Sequence, residues 1–111
     1  MDRQAIELLN QIRATFGLSE SELADLFRVR RPSLAAWRET GLPQTRRATA
    51  ERLLGLARVF AQEVIPSRIP EIVRTPDAWL GGRSVLDVLA GEGPDPVYAY
   101  LHRLFSYSQQ A

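Results

Sequence analysis

Arg30, Arg31, Ser33 and Ala36 fall together in the stretch Leu18 to Pro43, LSESELADLFRVRRPSLAAWRETGLP, and their side chains are of the kinds that read base edges in a duplex. Arginine and serine hydrogen-bond to bases, and alanine permits close approach or touches a thymine methyl. Charge is concentrated around them. Residues 28–58 carry eight arginines (28, 30, 31, 38, 46, 47, 52 and 58) against Glu39 and Glu51, a local +6, whereas residues 1–27 carry two against five acids, −3, in a chain of net +1. Such focusing is the footprint of phosphate contact. Arg38, Arg46 and Arg47 are the candidates for gripping phosphates, with Thr45 expected to cap the helix that follows so that its first amides also face a phosphate. A merely solvated basic face is the alternative. Other chemistry is poorly supplied. There is no cysteine and a single histidine, His102, which excludes disulfide and thiolate chemistry and cannot by itself make a zinc site. A hydrolase using His102 with Asp87 or Glu92 would lack any accompanying nucleophile, metal cluster or glycine-rich phosphate loop, so neither a catalytic residue, a metal nor a cofactor is expected.

The elements that must position these residues read as helices almost throughout. Ser19 can cap one helix, with Glu22 completing a capping box and Leu23, Leu26 and Phe27 forming its apolar stripe. Arg28 to Arg31 interrupts it, with Arg28 where a tight turn of this kind favours a glycine for a left-handed backbone. Pro32 suits the start of a second short helix that Leu34 and Trp37 turn inward and that Gly41 and Pro43 close. Two short helices joined by a tight turn are the helix-turn-helix geometry that offers the second helix to the major groove, though a helix hairpin that binds protein would share the pattern. Before them, Asp2 can cap a helix to about Phe16, with Ile6, Leu9, Ile12 and Phe16 as its buried stripe and Gly17 as its end. After them, Thr45 to about Val64 reads as a long helix whose apolar face (Leu53, Leu54, Leu56, Ala57, Phe60, Ala61, Val64) exceeds the need of a three-helix unit. Part of that face should meet the C-terminal segment or a second copy of the chain.

Pro66 and Pro70 mark a joint, and residues 66–111 are richer in punctuation, with four of the seven glycines and five of the seven prolines. Short helices follow from this: a turn around Ile69–Val73, a helix from Val85 to Ala90 capped by Ser84, and a last helix from Pro96 to about Ser106 with Val97, Leu101, Leu104 and Phe105 inward. Gly81 and Gly82 permit a positive-φ turn that lets Leu86 and Leu89 fold back onto the long helix. Trp79 is expected mainly in the core, and Arg83 with Asp87 as a weak surface pair. The chain is long enough for one domain or a tightly coupled pair. It carries no apolar run of membrane-spanning length and MDRQAIELL does not read as a signal peptide, so a cytoplasmic location is expected.

The residues from Ile72 to Ala90, IVRTPDAWLGGRSVLDVLA, resemble the C-terminal toxin-binding domain of the Xre/MbcA/ParS antitoxins, whose signature is a proline-bearing turn, a Leu-Gly-Gly turn and a short helix reading roughly Pro-Leu-Asp-Leu-Leu. Val85 replaces that proline, and Ile72 stands where a tryptophan is common. A helix-turn-helix followed by a long helix is similar to the family's N-terminal half. The resemblance implies an all-α fold: residues 1–65 as a helix-turn-helix bundle and long connecting helix for DNA binding and dimerisation, and residues 66–111 as a small helical toxin-binding domain. It also implies a type II antitoxin that covers the active site of a RES-domain, NAD-targeting toxin and represses its own operon as a homodimer. Trp79, Arg83, Tyr98, His102, Arg103, Tyr107, Gln109 and Gln110 would then meet the toxin. Tyrosine and arginine are frequent interface anchors, whereas a frayed polar tail is the plainer reading of the last residues. A stand-alone helix-turn-helix repressor without a toxin partner is the alternative for the whole chain.

Overall fold

A computed structural model describes the backbone of residues 1–110 and the side chains of residues 1–105. The chain is all-α, with seven helices among the described residues and two short 3-10 turns. In α1 (Arg3–Phe16) the Asp2 carboxylate accepts from the Ala5 amide at 2.9 Å, and Gly17, at φ 66, ends the helix in the left-handed region. Leu9, Ile12 and Phe16 are buried as the spacing predicts, joined by Ala5, while Ile6 is only half-buried. The capping box at the start of α2 (Glu20–Leu26) is complete: Ser19 accepts from the Glu22 amide and Glu22 from the Ser19 amide. In α3 (Arg31–Thr40), Leu34 and Trp37 face the core, and the Trp37 ring meets Phe27 edge-on at 5.4 Å between centres.

α4 (Gln44–Glu63) lies along α1, with Phe60 edge-on to Phe16 at 5.5 Å. It starts one residue before the predicted cap. Pro43, at φ −58 and ψ 149, brings the chain in extended and stands in the capping position, so Thr45 is inside the first turn and caps nothing. Of the expected apolar face, Leu53, Leu56, Ala57 and Phe60 are buried together with Ala50, whereas Leu54 and Val64 are half-covered and Ala61 is exposed.

A 3-10 turn at Pro66–Arg68 leads into α5 (Ile69–Arg74), which buries Ile69 and Val73 and packs on α1. Gly81 and Gly82, at φ 72 and 79, reverse the chain after a second 3-10 turn (Ala78–Leu80), and an isolated bridge from Asp77 to Arg83 ties the loop. α6 (Val85–Glu92), capped by Ser84, then packs on α5, α7 and α2. The expected docking of Leu86 and Leu89 on the long helix is thus corrected: Leu89 is buried, Leu86 half-buried, and the reversal at the glycines brings α6 beside α2 and α5. It is α7 (Asp95–Gln110) that touches α4, where Tyr98 Oη donates to the Arg52 carbonyl at 3.0 Å. One buried cluster runs from Leu9 in α1 to Leu101 in α7, so both halves share a core. Among the described residues no helix is long and apolar enough to cross a membrane.

Candidate functional site

The outer surface of α3 follows from its inner one. With Leu34 fully buried and Trp37 nearly so, Arg31, Ala35 and Ala36 are left exposed, Ser33 is half-buried, and Arg30 stands exposed just before the first turn. α3 and α4 both start without a side-chain cap and without an acid in the first turn, whereas Asp2, Ser19 and Ser84 cap α1, α2 and α6. The helix ends nearest the basic residues therefore keep first-turn amides that no side chain occupies.

The eight arginines of residues 28–58 divide into two groups. Four are engaged within the molecule. Arg38 grips both carboxylate oxygens of Glu20, through Nη2 at 3.2 Å and through Nη1 at closer range; this hydrogen bond, above all, holds the Glu20 carboxyl below the ordinary glutamate range. Arg46 donates from Nη1 to the Phe27 carbonyl at 2.8 Å and lies 5.9 Å from the centre of the Trp37 ring. Arg52 pairs with Asp95 and lies over the Tyr98 ring. Arg28 donates from Nε to the Ala90 carbonyl at 3.0 Å and from Nη2 to the Gly91 carbonyl. The other four, Arg30, Arg31, Arg47 and Arg58, are exposed, and their side chains make no hydrogen bond or ion pair among the described residues. Of the predicted phosphate contacts, then, Arg47 is unengaged while Arg38 and Arg46 brace the α2 and α3 pair against each other and against α4. The distinction depends on partners far away in sequence, which is why the charge count could not draw it.

Arg28 occupies a strained turn between α2 and α3. It is the single non-glycine residue with positive φ among those described, at φ 57, a conformation that costs an L-residue about 1 kcal/mol. Its guanidinium offsets this by meeting the last carbonyls of α6, where the helix dipole favours a cation. Arg74 does the same for α1: it donates to the Phe16, Gly17 and Pro70 carbonyls and to Glu22, with distances of 2.7 to 3.3 Å. The Glu22 carboxyl is lowered by the Ser19 backbone N–H first and by Arg74 after it. Neither arginine stood out in the sequence as a link between the halves.

In the C-terminal half a second cluster forms. Trp79, expected in the core, is 43% exposed, because the 3-10 turn that buries Leu80 leaves its neighbour outside. Its ring lies 5.6 Å from that of Tyr100, and the Arg103 guanidinium lies 5.4 Å from its centre. Tyr100 Oη donates to Asp77 at 2.9 Å; burial first, and the Asp77 carboxylate with it, push its hydroxyl up to about 12. Tyr100 was missed, although its spacing from Arg103, one turn along a helix, was a usable signal. Arg83 pairs with Glu92 at 2.6 Å in place of Asp87, whose carboxylate is taken by the Ser84 amide at 3.2 Å. Tyr98 is turned to α4, and His102 is exposed. The side chains of Tyr107, Gln109 and Gln110 lie outside the described residues. Among those that are described, no three His, Asp or Glu side chains gather as a metal site requires.

Comparison with protein-family models, with curated proteins and with solved structures finds no match to this chain.

Proposed function

We propose that this chain is a DNA-binding antitoxin whose α2 and α3 act as a helix-turn-helix and whose C-terminal half binds a protein toxin. The observation that carries the DNA reading is the pair of exposed arginines whose side chains make no hydrogen bond or ion pair among the described residues, Arg30 and Arg31, at the uncapped start of a helix whose small residues Ala35 and Ala36 also face outward. Small side chains let that helix approach base edges, Arg31 has the donor geometry for a guanine, and Arg47 in the first turn of α4 is placed to meet a phosphate. Two half-sites one helical turn apart need two such helices, so the operator is read by a homodimer. The toxin reading draws on the resemblance of residues 72–90 to the antitoxin signature and on the exposed Trp79, Tyr100 and Arg103 cluster, which is made of the residue types that dominate protein interfaces. The partner implied is a RES-domain toxin acting on NAD.

The test is binding of the purified chain to labelled duplex from its own upstream region over a range of salt. Arg31→Ala should relax sequence preference, whereas Arg47→Ala should weaken every sequence alike and reduce the salt slope by about one. Equal losses on all sequences for both variants would show that α3 is not the reading helix. For the toxin half, the chain should rescue growth when the neighbouring gene is expressed. A neighbour that is harmless alone favours a plain repressor.

A further inference from the structure

We infer that Arg28 couples the aim of α3 to the C-terminal half, so that a partner protein engaging the Trp79 and Arg103 cluster changes how the chain recognises duplex; this rests on α3 being the DNA-contacting helix. The turn between α2 and α3 holds Arg28 at φ 57, a backbone that glycine would adopt with less strain. What arginine adds there is its side chain, which reaches across 62 residues of sequence to the Ala90 carbonyl and, beside it, to Gly91. α2 is thus held at both ends by the other half of the molecule. Arg74 fixes its start through Glu22 at 2.8 Å, and Arg28 fixes the turn that follows it to the end of α6.

The two ties differ in strength. Arg74 reaches four acceptors, and Pro70 beside it packs so closely on Gly17 that a methyl group there would meet it at 2.7 Å. Arg28 reaches only two carbonyls, against the four acceptors of Arg74, so it is the tie that gives first. From the end of α6 the chain passes through Gly93, at φ 88, and Pro94 into α7, which carries Tyr100 and Arg103. A partner that shifts α7 therefore moves the carbonyls that Arg28 holds, and two residues beyond Arg28 the chain reaches Arg30. Arg28 is a positioning residue in this scheme and touches no base or phosphate.

The experiment uses the full chain with Arg28→Gly, which keeps the left-handed backbone without its strain, and Arg28→Lys, which keeps the charge. Duplex from the chain's upstream region and a scrambled duplex are the probes, and amide exchange is read along the chain. Arg28→Gly is expected to stay folded and to lower the ratio of the two affinities about fivefold with an unchanged salt slope, and Arg28→Lys to recover part of the ratio. Duplex binding should slow exchange in α6 and α7 of the wild type and not of Arg28→Gly. A salt slope reduced by about one would make Arg28 a phosphate contact and overturn the inference. So would an unchanged ratio together with an unchanged response in α6 and α7. If the wild type shows no preference for its own duplex, the DNA reading fails and the control of recognition fails with it. Exchange in the free chain then still decides the tie itself: Arg28→Gly must speed exchange at both the start of α3 and the end of α6, and acceleration confined to the turn overturns it.

Discussion

Replacing Gly55 by alanine probes how α7 is seated on the long helix and decides what Tyr98 is for. A Cβ at Gly55 would lie 2.7 Å from the Tyr98 hydroxyl, so the phenol must withdraw by roughly 0.7 Å to reach the 3.4 Å of ordinary contact. Alanine in a helix interior is favoured over glycine by about 1 kcal/mol. Against this, the withdrawn hydroxyl loses its bond to the Arg52 carbonyl, worth about 1 kcal/mol, and the ring leaves the Arg52 guanidinium at 5.2 Å, worth about 0.5–1 kcal/mol at an exposed site. Gly55→Ala alone should therefore destabilise by about 0.5–1 kcal/mol. In the background of Tyr98→Phe, where the offending oxygen is gone, the same change should stabilise by about 1 kcal/mol, a coupling of about 1.5–2 kcal/mol. Urea denaturation of the four proteins measures it, provided the transitions are two-state. If Gly55→Ala stabilises equally in both backgrounds, Tyr98 is not seated on α4 and its hydroxyl is free for a partner. If the coupling is found, Tyr98 is a pin between helices, and Tyr98→Phe should leave partner affinity within about twofold.

Other expectations follow from the same contacts. The Glu20 and Glu22 carboxyls are held below their ordinary value of 4.5, so the stability they contribute is complete above that value and is lost as pH falls through the lowered ones. The urea midpoint should drop from about pH 4.5 downward, and Glu20→Gln should flatten the drop; an equally steep drop in that variant would show that the Arg38 pair is not its source. Arg46→Ala removes a charge-assisted bond to the Phe27 carbonyl and a contact with Trp37, so a loss of about 2 kcal/mol in stability is expected with the salt slope of duplex binding unchanged. Trp79→Ala should cost about 1 kcal/mol against about 2–5 kcal/mol for Leu80→Ala, by thermal unfolding, while weakening partner binding at least about tenfold.

The caps and the inward stripes were legible in the sequence because they are local. Asp2, Ser19 with Glu22, and Ser84 act within one helical turn, and Leu9, Ile12 and Phe16, or Leu34 and Trp37, repeat at the helical period, so the residues near them determine both. The helix end at Gly17, the left-handed turn at Gly81 and Gly82, and the demand for one at Arg28 were readable for the same reason. The basic stretch was legible as a total and not in its parts. Which arginines are engaged and which face outward depends on Glu20, Phe27, Asp95, Ala90 and Gly91, brought to them only when the helices pack. The same holds for Trp79, whose exposure is set by where the loop rests and by Tyr100 and Arg103 from another helix. Composition and spacing sufficed to name the helices and most of their buried faces, since a helix is made by its own neighbours, although Ala61 and Leu104, both read as inward, are exposed. The tertiary structure alone decided which surface charges are tied to other residues and which are left unpaired, because a long side chain chooses among acceptors that sequence distance does not order.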